Sequence, residues 1–458
     1  MSQINPHAAM READGFEISG QAITDGAVPR DAAKGEDSAP VWKLVILWLI
    51  VALIVSSPAF GGSVINAHMG MALDFDRTVL GAGFGLCSAI AGLSAPFIAT
   101  SFRYFGIRNV MLGGTAIAIL AALLLITVVQ TGTGFIISYG LMMGLAIGSA
   151  GLLPIQTVVA RWYRGRRALA VSVVMSAGEC AGIIVPPLFA WLIGATGDWR
   201  SGWWVTLGCL VIGGALIMWV IPGNLPVDRM DIEAGAPPVE QRSRSMRVYK
   251  TPYHWSVREA IRTRQFALLL LFSITTCIGW VFFLAHGVVH FQDIGFASTT
   301  AASAISIAVT ASFFGNGLAG LLGDRVSPHF IGSGALLLIA TGIGLAWAPV
   351  GFTGLLICSA VFGFGYGAGQ VCWITLLGNY FGTRSFPAIF GIFLATSSIA
   401  SEVGAIGAGF AFDHLKSYAP AFVVVVAMTT VVGLLQLFTT ARGIRREPSV
   451  AADGRAHG

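Results

Sequence analysis

Residues 160–188 read ARWYRGRRALAVSVVMSAGECAGIIVPPL. A basic, aromatic turn gives way to a run of apolar and small side chains that continues past Leu188 and is interrupted by a single carboxylate, Glu179. A run of this length without charge pairs is too long for a strand and reads as a membrane-spanning helix. Only helices or closed barrels satisfy backbone groups in lipid, and barrel strands alternate over about ten residues instead. Eleven further runs obey the same rule, giving twelve expected spans near 43–66, 78–100, 109–129, 135–159, 168–194, 202–221, 266–290, 298–322, 330–348, 353–378, 387–411 and 420–440. The bulk composition agrees. Hydrophobic residues make up 55% of 458 and charged residues 11%, against about 25% charged in a soluble domain, and mean hydropathy is +0.78.

The longest internal polar stretch, from "PGNLPVDRMDIEAGAPP" onward, separates the sixth run from the seventh. The expected organisation is a disordered tail (1–41), a six-helix bundle (42–221), a linker (222–264), a second six-helix bundle (265–442) and a short tail (443–458), with no cleavable export signal. The halves echo one another. "ARWYRGRRALAVS" lies between the fourth and fifth runs and "GNYFGTRSFPAIF" (378–390) between the tenth and eleventh, so that Tyr163 matches Phe381 and Arg166 matches Arg384 at one offset. "FRYFGIRNVMLGG" (102–114) and "GDRVSPHFIGSG" (323–334) come after the second and eighth runs. Internal repeats of this kind mark secondary transporters with a midplane site between repeats. Of 27 Lys and Arg, all but Arg77, Arg200 and Lys416 fall on the side of the tails and linker, which makes that side cytoplasmic by the positive-inside rule. On the same rule Arg161, Arg164, Arg166 and Arg167 read as interfacial anchors. The net charge of +5 then belongs to membrane loops and implies no nucleic acid.

On these motifs the chain, over about 43–442, resembles the major facilitator superfamily and, within it, the monocarboxylate-transporter and oxalate–formate-antiporter branch. The superfamily's loop motif survives in "GLLGDR" as Gly320, Asp324 and Arg325, and in "SFRYFGIR" as Gly106 and Arg108. Arg103 stands where the family has an aspartate. The stretch 161–188 is similar to the branch's signature of an aromatic after Arg, a basic pair, Leu-Ala, Ala-Gly and Pro-Leu. The resemblance implies an all-α membrane protein of twelve helices in two pseudo-symmetric bundles, with Arg108, Asp324 and Arg325 as gating-loop residues. It also implies that the first, fourth, seventh and tenth spans line a central cavity. Asn316 occupies the position where many branch members carry a substrate-binding arginine. An amide keeps hydrogen bonds but loses the charge that grips a carboxylate, so a neutral or bulkier solute competes with a monocarboxylate.

Among the 22 acidic residues, Glu179 and Glu402 alone fall near span centres. A charge there costs about 2.5–3.5 kcal/mol on insertion scales, and ion pathways are the default reading. Both are candidate proton-coupling groups, with buried interhelical contacts as the alternative. In the seventh span Thr276, Trp280, Phe283, His286 and His290 share a helical spacing, and His286 joins the proton candidates because histidine titrates near neutrality. Tyr366, Gln370 and Trp373 form a stripe on the tenth span, and Gln156 sits on the fourth. With Trp280 and Asn316 they make an aromatic, sparsely polar pocket of the kind that takes a small organic ligand. The six cysteines lie within apolar runs without CxxC or CxxH spacing and read as packing thiols. No P-loop, HExxH or GxSxG motif is present, so the expectation is a secondary transporter rather than an enzyme or an ATP-driven pump. It needs no cofactor or metal and moves a small organic solute, such as an organic acid, with protons. Its expected setting is the bacterial inner membrane, as a monomer with both termini cytoplasmic. Efflux of a drug-like compound and a transporter-like sensor are the alternatives.

Overall fold

A computed structural model describes residues 39–223, 248–251 and 255–439. Most of the expected tails and linker lies outside these described residues. With no water in the bilayer core, apolar runs must close their backbone hydrogen bonds internally. Accordingly, among the described residues eleven helices are long and apolar enough to cross a membrane. The twelfth span is present but divided. The second span starts as the helix Arg77–Leu93, is interrupted at Ser94, and resumes in Ala95–Thr127. That last helix is two helices joined at Gly106, whose φ of 76° and ψ of 156° no side chain but hydrogen adopts readily. The second span thus ends, and the third begins, at the glycine of "SFRYFGIR".

Of the remaining spans only the fourth, Gly132–Trp162, is broken, at Gly151 with φ −94° and ψ −133°; the others are the first Val41–Ala72, the fifth Arg167–Thr196, the sixth Arg200–Val220, the seventh Arg264–Asp293 and the eighth Ser298–Gly323. The ninth is Pro328–Ala346, the tenth Gly351–Phe381, the eleventh Phe386–Leu415 and the twelfth Ala419–Gln436. Helix geometry departs from α in the first, fourth and seventh spans, through π-helical segments at Val51–Gly61, Ile136–Met143 and Phe283–Gly287. Pro58 falls inside the first of these, where its missing N–H removes a rung of the α-helical ladder. Each π segment rotates the rest of its span about the helix axis. The single stripe expected along the seventh span is therefore split, with Trp280 facing the tenth span and His286 the eleventh.

Spans one to six pack mainly on one another, as do spans seven to twelve. Two seams join the halves, the fifth span against the eighth and the second against the eleventh. The repeat exchanges these pairs, as pseudo-twofold symmetry requires. An even number of crossings brings the start of the first span, the end of the twelfth and the connection between sixth and seventh to one end of the bundle, the linker end.

Candidate functional site

Glu179 sits on the fifth–eighth seam. Its carboxylate accepts a hydrogen bond from Ser312 Oγ at 3.2 Å, and in one of the two orientations of the Asn316 amide Nδ2 lies 3.4 and 3.5 Å from its oxygens. It opens onto a cavity of about 170 Å³, walled by Phe60 of the first span, Trp280 of the seventh, Val309 and Ser312 of the eighth, and Tyr366 of the tenth. A carboxylate in so apolar a wall is sustained by these few hydroxyl and amide donors. The aromatic side is ordered by stacking, with Trp280 over Tyr366 at 4.4 Å between ring centroids and Phe283 over Phe362 at 4.2 Å. Behind Tyr366, Trp373 Nε1 donates to Gln370 Oε1 at 2.8 Å and Gln370 Nε2 donates to the Tyr366 hydroxyl at 2.9 Å. Gln370 and Trp373, expected to contact solute, are joined through these bonds to Tyr366, which lines the cavity.

A larger cavity of about 400 Å³ lies between the first, second, fourth and eleventh spans. Its lining is apolar apart from Ser88, Ser398, Cys87 and Tyr139 and contains no Lys or Arg. Phe60 is next in the chain to Ala59, which lines this second cavity, so both share the wall of the first span.

At the linker end the halves are locked together. Asp324 closes the eighth span, and its two carboxylate oxygens accept the backbone N–H groups of Ala168 and Leu169 at 3.1 and 3.2 Å. These are free donors of the first turn of the fifth span, and the carboxylate also meets the positive end of that helix dipole. Burial raises the Asp324 carboxyl above the ordinary carboxylate value, although the two N–H bonds and the nearby Lys250 and Arg167 act to lower it. Arg167 is buried; it donates through Nη1 to Asn379 Oδ1 at 2.9 Å and through Nη2 to Ala160 O at 3.4 Å. Lys250 Nζ donates to Gly165 O at 2.8 Å and Thr251 N to Asn379 O at 2.8 Å, so the described part of the linker is stitched into the same closure. The second seam closes by small residues: a Cβ on Gly92 would collide with Ser398, and one on Gly391 would press on Ala95.

The other expected residues are distributed unevenly. Asn316 is buried in the seam rather than in a cavity wall. Glu402 is half-buried on the eleventh span, with no hydrogen bond among the described residues. His286 bonds Ala405 O through Nε2 at 3.0 Å, on the same span as Glu402, and neither approaches the Glu179 cavity wall. Gln156 is fully buried, lines neither cavity, and has no hydrogen-bond partner for either amide atom among the described residues. Arg108 reaches Gly223 after the sixth span, and Arg325 is exposed, which leaves Asp324 to form the cross-half lock. Arg167 corrects the anchor reading: it is a buried cross-half contact, not an interfacial one. Sequence reasoning misses Ser312, whose one signal is its place a helical turn before Asn316 on the same face.

Two six-helix halves joined along two seams, one seam carrying a half-buried carboxylate beside a cavity and one end shut, have the architecture of a membrane transport protein. The chain belongs to the Major Facilitator Superfamily, whose sequence profile matches residues 47–291, more than half of its length. It is similar to Monocarboxylate transporter 13 of Bos taurus, 26% identical over 342 residues that cover 73% of this chain and 74% of that protein. It is also similar to the aspyridones efflux protein apdF of Emericella nidulans, 23% identical over 274 residues, 59% of this chain and 51% of that one. Among solved structures, FucP in the outward conformation superposes with a TM-score of 0.60 at 13% identity, covering 87% of this chain and 98% of FucP. The human organic anion transporter MFSD10 (TETRAN) gives 0.61 at 17% identity, with 88% and 99% covered. The relatives are transporters, and the chain is a multi-pass membrane protein, not an enzyme.

Proposed function

We propose that this protein is a proton-coupled secondary transporter that carries a small organic solute by alternating access, the linker end being cytoplasmic. The observation that carries the reading is Glu179, a carboxylate on the seam between halves that faces a cavity and, among the described residues, has Ser312 and Asn316 as its side-chain polar neighbours. A group at that place feels both the solute cavity and the contact that must break when the carrier changes conformation. Because the cavities have no cationic lining and one has a carboxylate, the solute binds without net negative charge. A monocarboxylic acid carried with its proton meets this condition, in keeping with the similarity to Monocarboxylate transporter 13.

A second reading, export of a neutral apolar compound, is favoured by the apolar lining of the larger cavity and by the similarity to an efflux protein. Proteoliposomes separate the two. Uptake of monocarboxylic acids that rises with an acid exterior supports import. Proton-gradient-driven movement of neutral aromatics alone supports efflux. Binding without movement of any solute refutes transport and leaves a sensor.

A further inference from the structure

The Asn316 amide has two hydrogen-bonding settings, and they address different partners. In one, Nδ2 lies 3.4 and 3.5 Å from the Glu179 oxygens, at the cost of setting it against the backbone N–H of Ser176 and setting Oδ1 against Ser172 O. With the amide turned over, its nitrogen donates to Ser172 Oγ at 3.1 Å and Ser172 O at 3.2 Å, and its oxygen accepts from the backbone N–H of Ser176 at 3.1 Å. Ser172 O and Ser176 N are four residues apart, the two ends of one rung of the fifth span. The turned amide therefore clamps a backbone turn of the opposite half, using both of its faces. Gly320, one turn further along the eighth span, lies directly against Ser172 and holds the helices close enough for this.

The turned setting places the amide oxygen where Nδ2 was, next to the Glu179 oxygens. Two acceptors cannot share that space unless one carries a proton. We infer that Asn316 is a two-position coupling residue: protonated Glu179 donates to its oxygen and leaves the amide clamped on the Ser172–Ser176 turn, whereas ionised Glu179 captures its nitrogen and releases the turn. The inference rests on the proposed role of Glu179 and adds how its proton state reaches the seam. It also gives a reason for tight coupling, because a proton-loaded carrier without solute is held shut at the linker end. The groups facing Glu179 leave this pair to act alone. Cys180 on its own span and Tyr366 on the tenth are the titratable neighbours, while the first, seventh and eighth spans present Phe60, Trp280, Val309, Ser312 and Asn316.

The test uses spin labels at the exposed positions 166 and 384, one in each half at the linker end, on a full-length chain whose native cysteines are replaced. In the otherwise unchanged protein the short-distance population should grow as pH falls. In Asn316→Leu that dependence should flatten, and Asn316→Ala provides the same test should the leucine misfold. Carbodiimide labelling of Glu179 across pH reads its protonation separately. Labelling that stays pH-dependent in Asn316→Leu together with a flattened distance response supports the inference. The same labelling with an unaltered distance response overturns it. Labelling of the unchanged protein that does not vary with pH overturns the proposed role of Glu179 instead.

Discussion

Gly320→Ala should open the linker end. A Cβ at Gly320 would lie 2.3 Å from Ser172 Cβ and 2.4 Å from Ser172 Oγ. Non-bonded carbons settle about 3.5–4.0 Å apart, so the fifth and eighth spans must separate locally by about 1.2 Å or more. Ser172 is buried at 4% exposure and its Cβ is fixed to a helical backbone, so rotating the side chain brings no relief. Overpacking of this kind costs about 1–3 kcal/mol. Only the conformation that holds these spans together bears that cost. At about 1.4 kcal/mol per tenfold, the ratio of closed to open linker ends should fall roughly 5- to 150-fold. The assay is the distance distribution between spin labels at 166 and 384, which should move toward long separations. Gly317→Ala is the control on the same span, because a Cβ there meets nothing within 4 Å. If Gly320→Ala and Gly317→Ala both keep the unsubstituted distribution, the close contact does not set the conformational balance and the reasoning fails.

Other substitutions should act differently. Gly363→Ala places a Cβ 2.0 Å from Ala308 O, backbone against backbone within the second half. It should therefore lower Tm, by about 1–3 kcal/mol of stability, without moving the distance distribution; a shifted distribution with unchanged Tm contradicts this. Gln370→Leu leaves Trp373 Nε1 unpaired and releases the Tyr366 hydroxyl, costing about 1–3 kcal/mol in thermal-shift measurements, and no loss would show that the relay is not structural. Asp324→Asn should alter the acid response. Burial raises its pKa in the folded protein, so its contribution is complete below the ordinary carboxylate value of about 3.9 and is lost as pH rises through the raised value. The fall in Tm across that window should flatten in Asp324→Asn, whereas an identical slope would place the titration elsewhere.

Much of the architecture is legible in the sequence because lipid leaves the chain little choice. Apolar length alone marks the spans, and the offset between "ARWYRGRRALAVS" and "GNYFGTRSFPAIF" marks the two halves. The interruption at Ser94 leaves one trace, a serine followed two residues on by Pro96 in the first turn of the next helix, but proline also sits inside unbroken helices such as Arg167–Thr196 and does not mark a break by itself. The π turns are silent, and they divide a seventh-span stripe that regular α spacing would keep on one face. Charge patterning misplaces Arg167, because the positive-inside rule treats every arginine at a span end alike. Its burial reflects its face, shared with Ala170, Val171 and Val174, all buried. Glu179 and Glu402 are indistinguishable by depth. They differ in what faces them across a seam, and that is tertiary information.

The central claim is that Glu179 carries the coupling proton. Its most direct test compares unsubstituted protein with Glu179→Gln in proteoliposomes, using one transported acid in two modes: accumulation driven by a pH gradient, and counterflow without one. Glu179→Gln is expected to lose accumulation and keep counterflow, since glutamine preserves the seam contacts but cannot release a proton. Accumulation equal to that of the unsubstituted protein would contradict the claim.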